Sequence, residues 1–147
     1  MIDELSVTRV IKADSTSCHS LVADLESYPD WARGLEDVQI EDRDELGRAL
    51  VATFKVAAMG RSATYTLEYD HSEAPRALSW RLLQGDIVRR LEGHYRFDDV
   101  DDEPGATEVS YALAVELAVP LPGFVKRRAE GRIMHAAVDD LQARLEQ

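Results

Sequence analysis

The chain reads as an α+β fold, an antiparallel sheet covered by one long helix at the C-terminus. Three observations predict it. From Gly34 to Leu117 apolar and polar residues alternate with period 2, broken by short polar turns. The links between the alternating runs are of hairpin length, which implies antiparallel neighbours. From Pro120 to Gln147 the period becomes 3.6, and no proline follows Pro122. A sheet with one apolar face needs a cover. A helix of about 25 residues is about 37 Å long, enough to cross a small domain.

In order, Leu5, Val7, Arg9 and Ile11 alternate with Ser6, Thr8, Val10 and Lys12, as a strand requires. Asp14 or Ser15 can cap the helix that follows. Cys18, Leu21, Val22 and Leu25 recur along it at i, i+3, i+4 and i+7. Tyr28-Pro29-Asp30-Trp31 interrupts it, because Pro29 disfavours helical geometry at Tyr28. Pro29 is then expected to open a second short helix ending near Arg33. Val38 and Ile40 begin the sheet, and Asp42 to Gly47 is a polar turn. Leu50, Ala52, Phe54 and Val56 form the next apolar face, up to the turn at Met59-Gly60-Arg61. Ala63, Tyr65, Leu67 and Tyr69 alternate with Thr64, Thr66, Glu68 and Asp70, the cleanest period-2 run in the chain. Past Ala74-Pro75-Arg76 come Leu78, Trp80 and Leu82; past Gln84-Gly85-Asp86 come Leu91, Gly93, Tyr95 and Phe97. Asp98 to Gly105 is an acidic loop, and Val109, Tyr111, Leu113, Val115 and Leu117 make the last strand.

In the terminal helix Phe124, Gly131, Met134, Val138, Leu141 and Leu145 fall on one stripe, with Arg128, Ala129, Arg132, Ala136 and Asp140 largely on the other side. Arg127 lies within the stripe where a packing helix would carry an aliphatic residue. Gly131 costs about 1 kcal/mol of helix propensity relative to alanine. Either the glycine lets helix and sheet touch, or both residues line a space beneath the helix.

Composition bounds the function. The 147 residues suit one domain, 1–147, and are 45% hydrophobic and 31% charged, as in globular proteins. A net charge of −11 argues against binding nucleic acid. Lys126, Arg127, Arg128 and Arg132 against Glu130 make a local window of +3. No apolar run is long enough to span a membrane, and Met1 to Leu5 has no signal-peptide character. Cys18 is the only cysteine, which fits a reducing cytoplasm. His19, His71, His94 and His135 lack zinc spacing, so neither a metal nor a cofactor is expected. The sequence carries no reading of oligomeric state.

Two segments carry a family resemblance: Asp24-Leu25-Glu26-Ser27-Tyr28-Pro29-Asp30-Trp31, and the strand-to-helix passage Leu117-Ala118-Val119-Pro120-Leu121-Pro122-Gly123-Phe124. With the element order, they resemble the START-like helix-grip superfamily, which includes polyketide cyclase/dehydrase and coenzyme Q-binding families. The resemblance implies a curved antiparallel sheet of about seven strands, two short helices and a long C-terminal helix across it. It also implies a deep apolar cavity between sheet and helix that takes a hydrophobic small molecule such as a lipid, isoprenoid or polyketide. The inward faces supply matching residues: Phe54, Tyr65, Leu67, Tyr69, Trp80, Leu82, Tyr95, Tyr111 and Leu113 from the sheet, and Phe124, Arg127, Gly131 and Met134 from the helix. Trp31 joins them from the helical segment before the sheet. Aromatic rings with polar tips suit an apolar pocket with a few hydrogen bonds.

A carrier or sensor of a hydrophobic molecule is the leading reading. A metal-independent cyclase or dehydrase in the same cavity is the alternative, and would need an acid or base there. Arg127 and Arg9 are the cations expected inward, and arginine is a poor proton carrier. His71 shares the inward parity of its strand. Aromatase-type cyclases of the family use an arginine from the middle strands, and Tyr65 to His71 contains none. An interaction module without a ligand is the third class.

Overall fold

The computed structural model describes residues 4–58, 60–118 and 120–147. Its elements are β1 (Leu5–Ile11), α1 (Ser15–Ala23), a 3-10 turn (Leu25–Asp30), β2 (Leu35–Arg43), β3 (Ala49–Ala58), β4 (Arg61–Asp70), β5 (Ala77–Gly85), β6 (Val88–Asp99), β7 (Thr107–Leu117) and α2 (Gly123–Leu145). The strands form one antiparallel sheet ordered β1-β7-β6-β5-β4-β3-β2. Every neighbouring pair except β1–β7 is a sequential hairpin, as the short links require. This is the helix-grip arrangement. The turn at Met59-Gly60-Arg61 and the passage through Val119 lie partly outside the described residues.

Register shifts at Leu35/Asp37 and Ile40/Asp42 in β2–β3, Thr66/Leu67 in β4–β5 and Val88/Arg90 in β6–β7 bend the sheet. One row of paired residues then crosses its concave face: Leu5, Leu113, Gly93, Trp80 and Tyr69. A parallel row holds Val7, Tyr111, Tyr95 and Leu78. The outer face carries polar ladders instead, including the Thr53–Thr66 hydroxyl pair at 2.8 Å and Arg81 against Glu68 at 2.6 Å.

α1 starts at Asp14, whose carboxylate accepts the Ser17 N–H at 2.7 Å, and buries Cys18 and Val22 completely. It packs over β5 and β6, and α2 packs over β1 and β7. The expected second helix from Pro29 is corrected: Pro29 lies inside the 3-10 turn, which follows directly on α1 through Asp24. A 3-10 turn closes i to i+3, so Tyr28 still accepts from Trp31 N–H at 3.1 Å although Pro29 has none to give. β6 also runs on through Asp98 and Asp99, which pair with Glu108 and Thr107, so the acidic loop starts later than expected.

The terminal stripe is corrected at its N-terminal end. Met134, Val138 and Leu141 are buried, but Phe124 is 63% exposed and Arg127 is exposed. A straight helix meets a curved sheet over a limited length, and here the contact begins at Met134.

Gly93 marks the tightest point of the concave face. A Cβ there would sit 2.3 Å from the Ala112 carbonyl oxygen, 3.1 Å from Trp80 Cζ2 and 3.2 Å from Leu113 Cδ1. The bare glycine lets the Trp80 indole lie across β6. Gly93→Ala should destabilise the fold by about 3 kcal/mol, an overpacking cost against rigid backbone. Urea denaturation checks this; an unchanged midpoint would show that β6 relaxes freely.

Candidate functional site

The concave face assembles an arc of aromatic rings in the order set by strand register. Phe54 stacks on its cross-strand partner Tyr65 at 5.4 Å, and Tyr69 meets Trp80 at 6.1 Å. Trp80 lies 5.4 Å from Tyr95 and 5.9 Å from Tyr111, and those two tyrosines stack at 4.7 Å. Each ring pair is an offset or tilted contact of the kind aromatic faces favour. Leu67, Leu82 and Leu113 fill between them, and Met134 closes the arc from α2, 2% exposed. Trp31 joins at one end through Tyr28, 5.0 Å away, and its indole N–H donates to Ser27 Oγ at 3.1 Å.

The hydroxyls decide what this arc can do. Tyr28 donates to the Val22 carbonyl. The phenol oxygens of Tyr65, Tyr69, Tyr95 and Tyr111 make no protein hydrogen bond among the described residues. Nor are they sealed in: the fully buried side-chain polar atoms without a partner, among the described residues, are His19 Nε2 and His71 Nδ1. The four phenol oxygens therefore keep some accessible surface. Burial, and then the other tyrosines around them, pushes the hydroxyls of Tyr69 and Tyr111 well above the usual phenol range. Burial alone pushes Tyr65 up to about 12, and burial followed by Tyr28 and Asp140 raises Tyr95. All remain neutral hydrogen-bond donors across the physiological range.

Gly131 borders open space too, since a Cβ built there meets nothing within 4 Å. Close packing is therefore not the reason for this glycine. Arg127 does not face the arc: its guanidinium turns back one helical turn, and a Cβ on Gly123 would lie 3.4 Å from its Nη1. Arg9, the other cation expected inward, reaches the helix instead, donating to Asp139 and, at 3.3 Å, to Gln142. Phe124 stands apart from the arc on the exposed end of α2.

The structure adds three residues that sequence reasoning left out of the site. Tyr28 is one, and its motif with Pro29 and Trp31 was the available signal. Asp140 is another: its carboxylate accepts from Arg33 Nε at 2.7 Å and from the Arg33 N–H at 2.8 Å, tying α2 to the segment before β2. The third is His71, buried and stacked 6.5 Å from Tyr69. His71 Nε2 lies 2.6 Å from the Ala49 carbonyl oxygen, which can only accept. Nε2 therefore carries a hydrogen, and in the neutral ring Nδ1 keeps a free lone pair.

Two open grooves lie elsewhere. One of about 470 Å³ is lined by Asp44, Arg48, Glu68, Ser79 and Arg81, and shares Tyr69, His71 and Trp80 with the arc. Another of about 650 Å³ follows the β5–β6 hairpin past Arg81, Arg90 and Glu92. Several of their charges are paired, Arg48 with Asp44, Arg81 with Glu68 and Arg90 with Glu92. The second has no aromatic wall.

His19 gives the site region a pH signature. Burial first, and then the His71 and Arg48 charges, lowers its pKa. Its folded value lies below the unfolded value near 6.5. The stability it contributes is therefore complete above about pH 6.5 and is lost as pH falls through that window. Asp14, held low by the Ser17 N–H, and Asp139, held low by Arg9, lose their contributions only around pH 4 and below. The urea midpoint should fall between about pH 7.5 and pH 5.5, and His19→Gln should flatten that fall. An equal slope in the variant would place the titration elsewhere.

The comparisons agree with this geometry. A family profile described as "Polyketide cyclase / dehydrase and lipid transport" matches residues 3–146. A START superfamily protein from Mycobacterium smegmatis superposes with a TM-score of 0.89 at 25% identity, covering 98% of this chain and 97% of its own. The Zhui aromatase/cyclase from Streptomyces sp. R1128 superposes at 0.84 with 19% identity, covering 99% and 94%. Ara h 8.0201 shares the fold at 0.72 with 11% identity, covering 99% and 98%. No curated protein matches the chain, and among the described residues no helix is long and apolar enough to cross a membrane. A match over residues 3–146 settles the family: the chain belongs to the polyketide cyclase/dehydrase and lipid transport family of the START-like superfamily.

Proposed function

We propose that this protein binds a hydrophobic small molecule between the concave sheet and α2, as a carrier or sensor. One observation carries the reading: four phenol oxygens on largely buried rings keep accessible surface and have no protein hydrogen-bond partner among the described residues. An unpaired hydroxyl in an apolar setting costs about 1–3 kcal/mol. A core made only to be stable would place phenylalanine at these positions, and a bound molecule removes the cost by accepting the hydrogen bonds.

Native mass spectrometry should reveal a co-purified small molecule. Titration with isoprenoid, fatty-acyl and aromatic polyketide probes should give a saturable change in tryptophan fluorescence, since Trp80 lies inside the arc. Gly131→Ala should stabilise the empty protein by up to about 1 kcal/mol through helix propensity while weakening the bound probe. No saturable change with any class, with no co-purified molecule, would overturn the reading.

His71 supports a second reading, a cyclase or dehydrase in the same space, because its Nδ1 lone pair is a free base. That nitrogen is fully buried, so a substrate reaches it only after the side chains over it move. This favours binding over catalysis. If the protein does turn over a polyketide-type thioester, His71→Gln should abolish product while leaving probe binding intact. Equal turnover by the variant would remove His71 as the base.

A further inference from the structure

We propose that the site selects uncharged ligands that carry hydrogen-bond-accepting oxygens and rejects carboxylates, with Tyr95, Tyr111 and Asp140 as the residues that set the choice. The inference rests on the binding reading above and adds the chemistry of the ligand.

The donors come first. Tyr95 and Tyr111 stack at 4.7 Å, so their hydroxyls leave neighbouring strands side by side, and Trp80 packs against both. Two parallel phenols with no protein acceptor match a molecule with carbonyl or ether oxygens on an apolar frame. A bare hydrocarbon would leave both hydroxyls unpaired. A carboxylate could accept from them, so hydroxyls alone do not exclude it.

The charges do. The cations that reach α2 from the rest of the fold are Arg9 and Arg33, and both are already bound to its carboxylates, Asp139 and Asp140. Arg127 is turned back toward Gly123. Among the described residues, none of these three is left to compensate a buried ligand carboxylate, whose desolvation is expensive without a partner.

The Arg33–Asp140 pair is also lopsided. The Arg33 side chain is 66% exposed and that of Asp140 only 11%. Water screens the guanidinium far more than the carboxylate, so the field that reaches inward is negative. Tyr95 registers it, since Asp140 is among the groups that raise its pKa, after burial and Tyr28. A second carboxylate placed at the Tyr95–Tyr111 hydroxyls would face that charge in a low-dielectric space.

The test uses two matched probe series on the intact protein at about pH 8, one naphthyl and one dodecyl. Each contains a methyl ester, the free acid and the hydrocarbon, and calorimetry follows binding. In at least one series the ester should bind about tenfold or more tightly than both the acid and the hydrocarbon. Tyr95→Phe and Tyr111→Phe should each bring ester affinity down toward the hydrocarbon's, severalfold, and leave the hydrocarbon unchanged. Asp140→Asn should narrow the gap between ester and acid to within about threefold. Arg33→Gln, which strips Asp140 of its screened partner, should widen it, and this arm stands if Asp140→Asn fails to fold. Acid binding as tight as ester binding, or a gap indifferent to both Asp140→Asn and Arg33→Gln, would overturn the selection while leaving the binding reading standing. Failure of all six probes would remove both.

Discussion

The structure depends on how a straight helix meets a curved sheet. The register shifts in β2–β3, β4–β5 and β6–β7 bend the sheet away from any plane, whereas 23 residues of α2 run as one rod. Contact is therefore made along the β1–β7 side, through Met134, Val138 and Leu141. On the side of β3 to β5 the aromatic arc continues without the helix above it.

Ion pairs hold the mismatch open in a defined way. Arg9 of β1 binds Asp139, and Arg33, just before β2, binds Asp140, the next residue of α2. The two arginines lie at opposite ends of the strand order, yet they grip adjacent carboxylates on one turn. Lys12 adds a third tie through its backbone N–H to Glu146 at 2.9 Å. Exposed pairs of this kind contribute little stability individually. Here their effect is geometric, because they fix where the rod crosses the sheet.

Much of this was legible in the sequence. Alternation of period 2 placed Phe54, Tyr65, Tyr69, Trp80, Tyr95 and Tyr111 on one face, because side-chain direction in a strand depends only on parity. Register then made them neighbours. Periodicity failed where position along an element mattered rather than direction around it. Phe124 and Arg127 belong to the same stripe as Met134, but the stripe does not say where the sheet beneath it ends. Asp140 was invisible for another reason: it sits on the flank of the helix, and its partner is 107 positions away in the chain. Tyr28 lies at a junction between two kinds of helix, where no period applies. Of His71, parity predicted the side but not that a neighbouring strand's carbonyl would fix its ring.

The polar features of the grip point the same way when weighed together. His71 Nδ1 and His19 Nε2 are sealed and, among the described residues, unpartnered, so each carries a desolvation cost in the folded state. The phenols differ, because their oxygens keep some accessible surface. Tyr69, Tyr95 and Tyr111, from β4, β6 and β7, surround the Trp80 indole, and with Tyr65 they offer four hydroxyls that no protein acceptor among the described residues takes. Had the space been a packing defect, its lining would be hydrocarbon, since apolar voids stay empty at no polar cost. A void lined with donors is instead a less stable protein when empty than its phenylalanine counterpart would be. A trade of resting stability for such a surface is what the binding reading proposed for this fold requires.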